Sequence, residues 1–419
     1  MASNKWWKDA IIYELYIDKF ADDLKGLTRK LDYLSNLGVN CIWILPHYPS
    51  PMVDDGYDIS DYKSVRENLG TVEDFQEFLD KAHLKGIRVI TDLVLNHTSS
   101  KHPWFIEASS SKDNPKRDYY LWSDDKEKYK EGMNAFPQIK PENWIFNAAA
   151  NDYYYATFYP EQPDLNWDNK EVVSEMLEVM KFWLDMGVDG FRLDAIPHMI
   201  KVDGTDCYNQ PKVHELVKEI RKFIDSNYSD RILLAEAYGF AKDVKKYFGN
   251  DDECRMAFNF NLMNYIYLAL AKGDDEIARK VAEETFDIPE DCQWATFLRN
   301  HDELALSFLP EDDVNTVLDY VDPERKFMFR SGDTSVRLAT AMQNDKTRIL
   351  KAFELLLTLP GSPVIYYGSE LGMQNENISP PPLDTRRYVR GKIDWNEAEK
   401  QMKDEDSIYN GVKRMIVKR

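Results

Sequence analysis

Three observations predict an α/β fold, a (β/α)8 TIM barrel with a subdomain inserted between its third strand and third helix. Short apolar, β-branched runs alternate with amphipathic helical stretches, the pattern of βα units around a parallel sheet. Eight runs of strand character can be counted, the number with which such a barrel closes. The 419 residues suit one large barrel carrying an insertion better than three ordinary domains.

The predicted strands centre on Ile12–Tyr16, Val39–Leu45, Ile87–Leu93, Gly190–Leu193, Ile232–Ala235, Met256–Phe260, Trp294–Leu298 and Pro363–Tyr367. Between the first two, Leu27, Leu31 and Leu34 recur at helical spacing before Gly38. Thr71-Val-Glu-Asp74 resembles a capping box ahead of Phe75, Phe78, Leu79 and Ala82, with Gly86 as the stop. Glu171 to Met186 repeats the helical pattern and ends at Gly187, and a last helix covers about Ser407 to Lys418. Thr98 to Trp167 is too long for a βα loop and predicts a separate unit. The expected division is therefore a barrel of 1–97 and 168–419 with an inserted subdomain of 98–167. A second insertion runs from Glu303 to about Lys346, and no C-terminal β-sandwich is expected to follow the barrel.

Composition narrows the partners. The 53 basic and 73 acidic residues leave a net charge of −20, which argues against nucleic acid or an anionic membrane surface, since both are bound through Lys and Arg. No apolar run is long enough to span a bilayer, and Met1 to Ala10 lacks the order of a signal peptide. Cys41, Cys207, Cys254 and Cys292 are scattered without metal or redox spacing. A reducing, cytoplasmic setting is expected. Aromatic residues reach 13%, which beside many carboxylates suits a neutral polyhydroxylated ligand.

In such a barrel the active site lies at the C-terminal ends of the strands. Three acids are expected there: Asp194 closing Gly190-Phe-Arg-Leu-Asp194, Glu236 closing Ile232-Leu-Leu-Ala-Glu236, and Asp302 in the run from Ala295 to Asp302. Strand alternation puts Arg192 and Asp194 on one side and Phe191 and Leu193 on the other. The chemistry that wants such a set is retaining glycoside transfer, in which an ionised carboxylate attacks and a protonated one serves as acid and then base. Arg192 is expected to hold Asp194 ionised, and the aliphatic run before Glu236 to keep that acid protonated. Asp302 would then stabilise the oxocarbenium-like transition state or grip sugar hydroxyls. A lone histidine is by default structural, but His97 ends the third strand at the same rim and reads as a hydroxyl donor to substrate. Asp92 is expected to order the loop there.

These residues resemble the α-amylase superfamily, glycoside hydrolase family 13. Asp92-Leu-Val-Leu-Asn-His97, Gly190-Phe-Arg-Leu-Asp194, Glu236 and Asn300-His-Asp302 match its four short motifs in order and spacing. Gln162-Pro-Asp-Leu-Asn166 resembles a fifth motif, of the trehalose synthase and oligo-1,6-glucosidase branch. The resemblance implies Asp194 as nucleophile, Glu236 as acid/base and Asp302 as transition-state stabiliser. It also implies that Asp54, Tyr57, His97, Arg192, His301 and the late-loop Arg390 line a glucosyl subsite. Ala195, following the nucleophile, is similar to relatives that prefer α-1,4 linkages.

A calcium site of the family would use Asn96 and Asp164. Lys201 stands where trehalose synthases carry a glutamate, so a lysine ammonium is favoured over calcium, and no cofactor is expected to be required. Gly391-Lys-Ile-Asp394 replaces the family's usual late-loop stretch, and the absent sandwich leaves the chain naturally minimal or a fragment. For these two reasons the first expectation is a retaining α-glucosidase or transglucosylase acting on short α-linked gluco-oligosaccharides. Trehalose synthase, an isomerase of maltose, comes second, and a catalytically dead binding subunit third. Oligomeric state is left open.

Overall fold

The computed structural model of the protein describes residues 5–330 and 332–419. Eight strands form a closed barrel: β1 (Ile12–Leu15), β2 (Cys41–Ile44), β3 (Arg88–Val94), β4 (Gly190–Asp194), β5 (Ile232–Ala235), β6 (Met256–Phe258), β7 (Gln293–Phe297) and β8 (Ser362–Tyr366). Each pairs in parallel with its neighbours in chain order, and β8 pairs with β1 to close the ring. All eight lie within or beside the predicted runs. Their side chains are almost all buried because one face fills the barrel and the other meets the surrounding helices.

The helices form where the sequence marks them. Thr71 and Asp74 make a reciprocal capping box at the start of Val72–Leu84, whose Phe75, Phe78, Leu79 and Ala82 are buried. Lys170–Met186 starts on an Asn169 cap and stops where Gly187 turns left-handed. Gly190, first in β4, is required by close approach, since a Cβ there would run into the backbone oxygen and side chain of Ile232 on β5.

Residues 98–167 hold a short helix, Pro103–Ala108, and a three-stranded antiparallel sheet of Trp122–Ser123, Asp152–Tyr155 and Trp144–Asn147. Much of the aromatic excess goes here: Phe105 packs on Tyr120, Trp122 and Tyr154 with ring centroids 4.9–5.6 Å apart. The second insertion holds the helix Glu311–Val321 and a hairpin of Met328–Arg330 with Asp333–Thr334.

At the opposite, N-terminal end of the strands a single acid joins four segments. The Asp189 carboxylate, fully buried, lies 2.7 Å from His83 Nε2 and accepts from Arg88 Nη1 at 2.8 Å, Val89 N at 2.9 Å and Arg231 Nη1 at 3.4 Å. Among the described residues, no helix is long and apolar enough to cross a membrane.

Candidate active site

A cavity of about 440 Å³ opens at the C-terminal ends of the strands, and Asp194, Glu236 and Asp302 all reach its wall. Alternation along β4 sends Arg192 and Asp194 into the barrel, as expected. Arg192 is completely buried, and its guanidinium serves three carboxylates: Asp92 Oδ1 at 2.7 Å, Asp194 Oδ1 at 2.6 Å and Glu236 Oε1 at 2.5 Å. Ala195 then turns left-handed (φ 47°), a conformation that costs an L-residue energy and survives where its surroundings enforce it. The turn lets the Ala195 N–H donate to Glu236 Oε2 at 2.9 Å, tying the ends of β4 and β5 together.

Asp302 does not close a strand. β7 ends at Phe297, and Asp302 sits in the following loop, where its own N–H donates to Asn300 Oδ1 at 3.1 Å. Its carboxylate meets His301 Nε2 at 3.1 Å, Arg390 Nη2 at 2.9 Å and Arg386 Nη1 at 3.2 Å. Burial pushes this carboxyl up, yet His301, Arg386 and Arg390 hold it well below the usual carboxylate range. Burial also opposes charge on His301, but Asp302 and Glu14 on either side lift its pKa to about 9.

The expected electrostatics of Asp194 need correction. Burial pushes its carboxyl well above the usual range, and Glu236, Asp92 and Asp302 push the same way; Arg192 opposes them without prevailing, because its one charge is divided among three acids. Burial raises Glu236 as well, again against Arg192. The set titrates as a unit and keeps a proton to higher pH than separate acids in water.

The other expected residues divide into two layers. Asp54, Tyr57, His97 and His301 line the cavity. Among the described residues the buried His97 Nε2 has no hydrogen-bond partner, so it can meet a ligand hydroxyl. Tyr57 stacks on His301 at 5.3 Å, with its hydroxyl 2.7 Å from His301 Nε2 and donating to Asp92 Oδ2 at 3.1 Å. Arg192 and Arg390, expected on the wall, lie behind it. Arg390 donates to Asp302, to Asp55 Oδ2 at 2.7 Å and to the His301 carbonyl at 3.0 Å, one bond from each of its nitrogens. Asp92 does not order a loop: it lies within β3, accepting from Trp43 Nε1 at 3.1 Å as well as from Arg192 and Tyr57.

Asn96 and Asp164, the candidate calcium ligands, meet Lys201 instead. Its Nζ lies 2.8 Å from Asp164 Oδ2 and 3.1 Å from Asn96 Oδ1, and donates to the His198 carbonyl. With an ammonium in their midst these oxygens do not fit a second cation.

Several site residues escaped the sequence reading. Arg386 reaches Asp54 Oδ1 (2.9 Å), Asp384 and Asp302, and lies over the rings of Phe136 and Phe329. Phe136 and Phe158 from the first insertion and Arg330 from the second close the cavity sides. Glu14 on β1 accepts from His301 Nδ1. The signal for it was available, a lone charge in the middle of an apolar strand.

The chain matches the alpha-amylase catalytic-domain family over residues 14–419. It belongs to that family, glycoside hydrolase family 13. It is therefore a glycoside hydrolase or glucosyltransferase domain, and the barrel, the three acids and the first insertion occur here in a family 13 context. It is 44% identical over 390 residues to the trehalose synthase of Pimelobacter sp. (strain R48), covering 89% of this chain and 68% of that one. The oligo-1,6-glucosidase of Heyndrickxia coagulans is 34% identical over 440 residues, covering 98% and 75%. An isomaltulose synthase mutant from Erwinia rhapontici NX5, solved with D-glucose, superposes with a TM-score of 0.78 at 27% identity, covering 100% of this chain and 84% of that one. This family 13 chain spans 68% of the length of the Pimelobacter trehalose synthase and 41% of that of Thermus thermophilus.

Proposed function

We propose that this domain transfers glucosyl units of small α-glucosides through a covalent glucosyl–Asp194 intermediate, and that its specific reaction is the interconversion of maltose and trehalose. Asp194 attacks the anomeric carbon while Glu236 protonates the departing glycosidic oxygen. The freed glucose reorients, and Glu236 takes the proton from the hydroxyl that then attacks the same carbon. The proton held by the Arg192 cluster belongs to Glu236 in this reading. Ionised Asp302 faces the positive charge of the transition state. Because one guanidinium spans both carboxyls, the pair suits the close spacing of a retaining enzyme, roughly 5–5.5 Å, over the wider gap that admits a water between them.

The sequence alone places an α-glucosidase or transglucosylase first and trehalose synthase second. The observation that carries the isomerase reading is the identity, 44% with a trehalose synthase against 34% with an oligo-1,6-glucosidase; ties between the loops that wall the cavity support it, because an isomerase must keep the released sugar in place. The late loop is anchored from both sides. Ile393 N donates to the Lys19 carbonyl at 3.0 Å, and Tyr159 of the first insertion donates to Asp384 Oδ2 at 2.8 Å. Arg330 of the second insertion donates to the Ala135 carbonyl of the first at 3.2 Å. The altered Gly391–Asp394 stretch thus packs onto the barrel, which removes one of the two reasons for placing an α-glucosidase or transglucosylase first. The cavity volume lies near the low end of the ~300–1,000 Å³ of small-ligand pockets.

In this reading Lys201 takes the place of a structural cation, and no metal takes part. Incubation with maltose and separation of the products is the test. Trehalose in excess of glucose is expected, and glucose as the dominant product returns the reading to an α-glucosidase. Asp194→Asn is expected to lose several powers of ten in rate.

A further inference from the structure

His301 carries a carboxylate at each ring nitrogen. Nδ1 lies 2.6 Å from Glu14 Oε1, and Nε2 lies 3.1 Å from Asp302 Oδ2. A neutral imidazole has one N–H and one lone pair, so it would turn a lone pair toward one of these carboxylates; only the doubly protonated ring donates to both. The third neighbour agrees, since Tyr57 spends its hydroxyl hydrogen on Asp92 and offers its oxygen to Nε2. Glu14 Oε1 also accepts the His301 backbone N–H at 3.0 Å, so one buried oxygen fixes both ring and main chain.

We propose that Glu14 is a positioning residue: by accepting both N–H groups it holds His301 as a cation and, through it, keeps Asp302 ionised and aimed into the pocket. The proposal rests on the pocket being the glucosyl site. Glu14 does not itself line the cavity and meets no reacting atom; it reaches the wall only through His301. It lies on β1, the strand that follows β8 around the ring, and so supports the β7 loop from two strands away.

The surroundings of His301 leave Glu14 and Asp302 as its only two carboxylate contacts among the described residues. Tyr16, just after β1, and Trp43 on β2 meet the ring edge-on at 6.0 and 5.8 Å. Tyr57 covers one face. Arg390 contacts only the carbonyl, at 3.0 Å. The charges of Asp92 on β3 and Glu236 after β5 act on the ring from further off. The upward shift of His301 despite its burial is what this arrangement demands.

Glu14→Gln separates charge from scaffolding, because its amide oxygen can still accept both N–H groups. In protein labelled with 15N-histidine, with His301→Gln to assign the signal, wild-type His301 is expected to be protonated at both nitrogens at pH 7. In Glu14→Gln the midpoint should fall by about one unit or more, about a tenfold loss of proton affinity. The alkaline limb of the kcat/KM profile for a 4-nitrophenyl α-glucoside should move down with it. An unshifted midpoint in the variant, or a neutral His301 in the wild type at pH 7, overturns the proposal. If the variant does not fold, the wild-type titration decides alone. Failure of the functional reading shows separately, as absence of turnover by the wild type, because the titration needs no substrate.

Discussion

Arg192 shows how much of this site is set by one side chain. A fully buried guanidinium with three carboxylates around it cannot neutralise them all, and the surplus negative charge keeps a proton in the set. Arg192 does not serve Asp194 alone, which the sequence could not show: it places Arg192 beside Asp194 but not Asp92 and Glu236 converging on the same cation. Glu14 and His301 lie 287 positions apart, and no local pattern announces their contact. The acids themselves were legible, since each follows a strand-like run and the strand period fixes which side chains turn inward. Lys201 was legible by type, and its setting makes a prediction. Its Nζ faces Asp164, whose carboxylate is wholly buried. Lys201→Met should cost ~3–5 kcal/mol by stranding that charge, whereas a chelator should leave the wild-type melting temperature unchanged. A melting temperature that falls with chelator or rises with calcium would show that a metal site exists after all.

At the scale of elements, strands and capped helices were legible because their signals are local: period-2 and 3.6 patterns, the Thr71–Asp74 box and the Gly187 stop. The loops that wall the pocket were not, because long-range contacts define them. The Asp302 segment reads as a strand end, yet β7 stops five residues earlier and the loop turns back on itself, with Arg299 Nε donating to the Asn300 carbonyl at 2.7 Å. The late loop looked unsuited to closure for the same reason: its ties to the first insertion span 225 positions. Tyr159→Phe removes one tie, the 2.8 Å bond to Asp384, at a stability cost of about 1 kcal/mol. If enclosure limits hydrolysis, the variant should release more glucose per trehalose formed from maltose. A product ratio equal to that of the wild type would mean that this tie does not guard the intermediate.

For the whole molecule, the barrel divides labour between its ends. The C-terminal end collects the left-handed Ala195 and the surplus charge of the Arg192 cluster. At the N-terminal end Asp189 clamps the helix Val72–Leu84, the start of β3, its own approach to β4 and the residue before β5. Burial pushes this carboxyl up, but His83, the Val89 N–H and Arg88 hold it below its ordinary value. A folded-state value below the unfolded one stabilises the protein above the unfolded pKa, and that contribution is lost as the pH falls through the folded value. Asp189→Asn should therefore lose about 2–3 kcal/mol at pH 6. That is less than the ~3–5 of a fully buried pair, because the partners remain partly hydrated. Urea unfolding of wild type and variant should show this gap constant down to about pH 5 and shrinking below about pH 4. Activity per folded molecule should be untouched, since the clamp lies at the far end of the strands from the cavity. A gap that persists unchanged at pH 3 would mean that the charge of Asp189 is not what joins the strands, and that its hydrogen-bonded shape alone suffices.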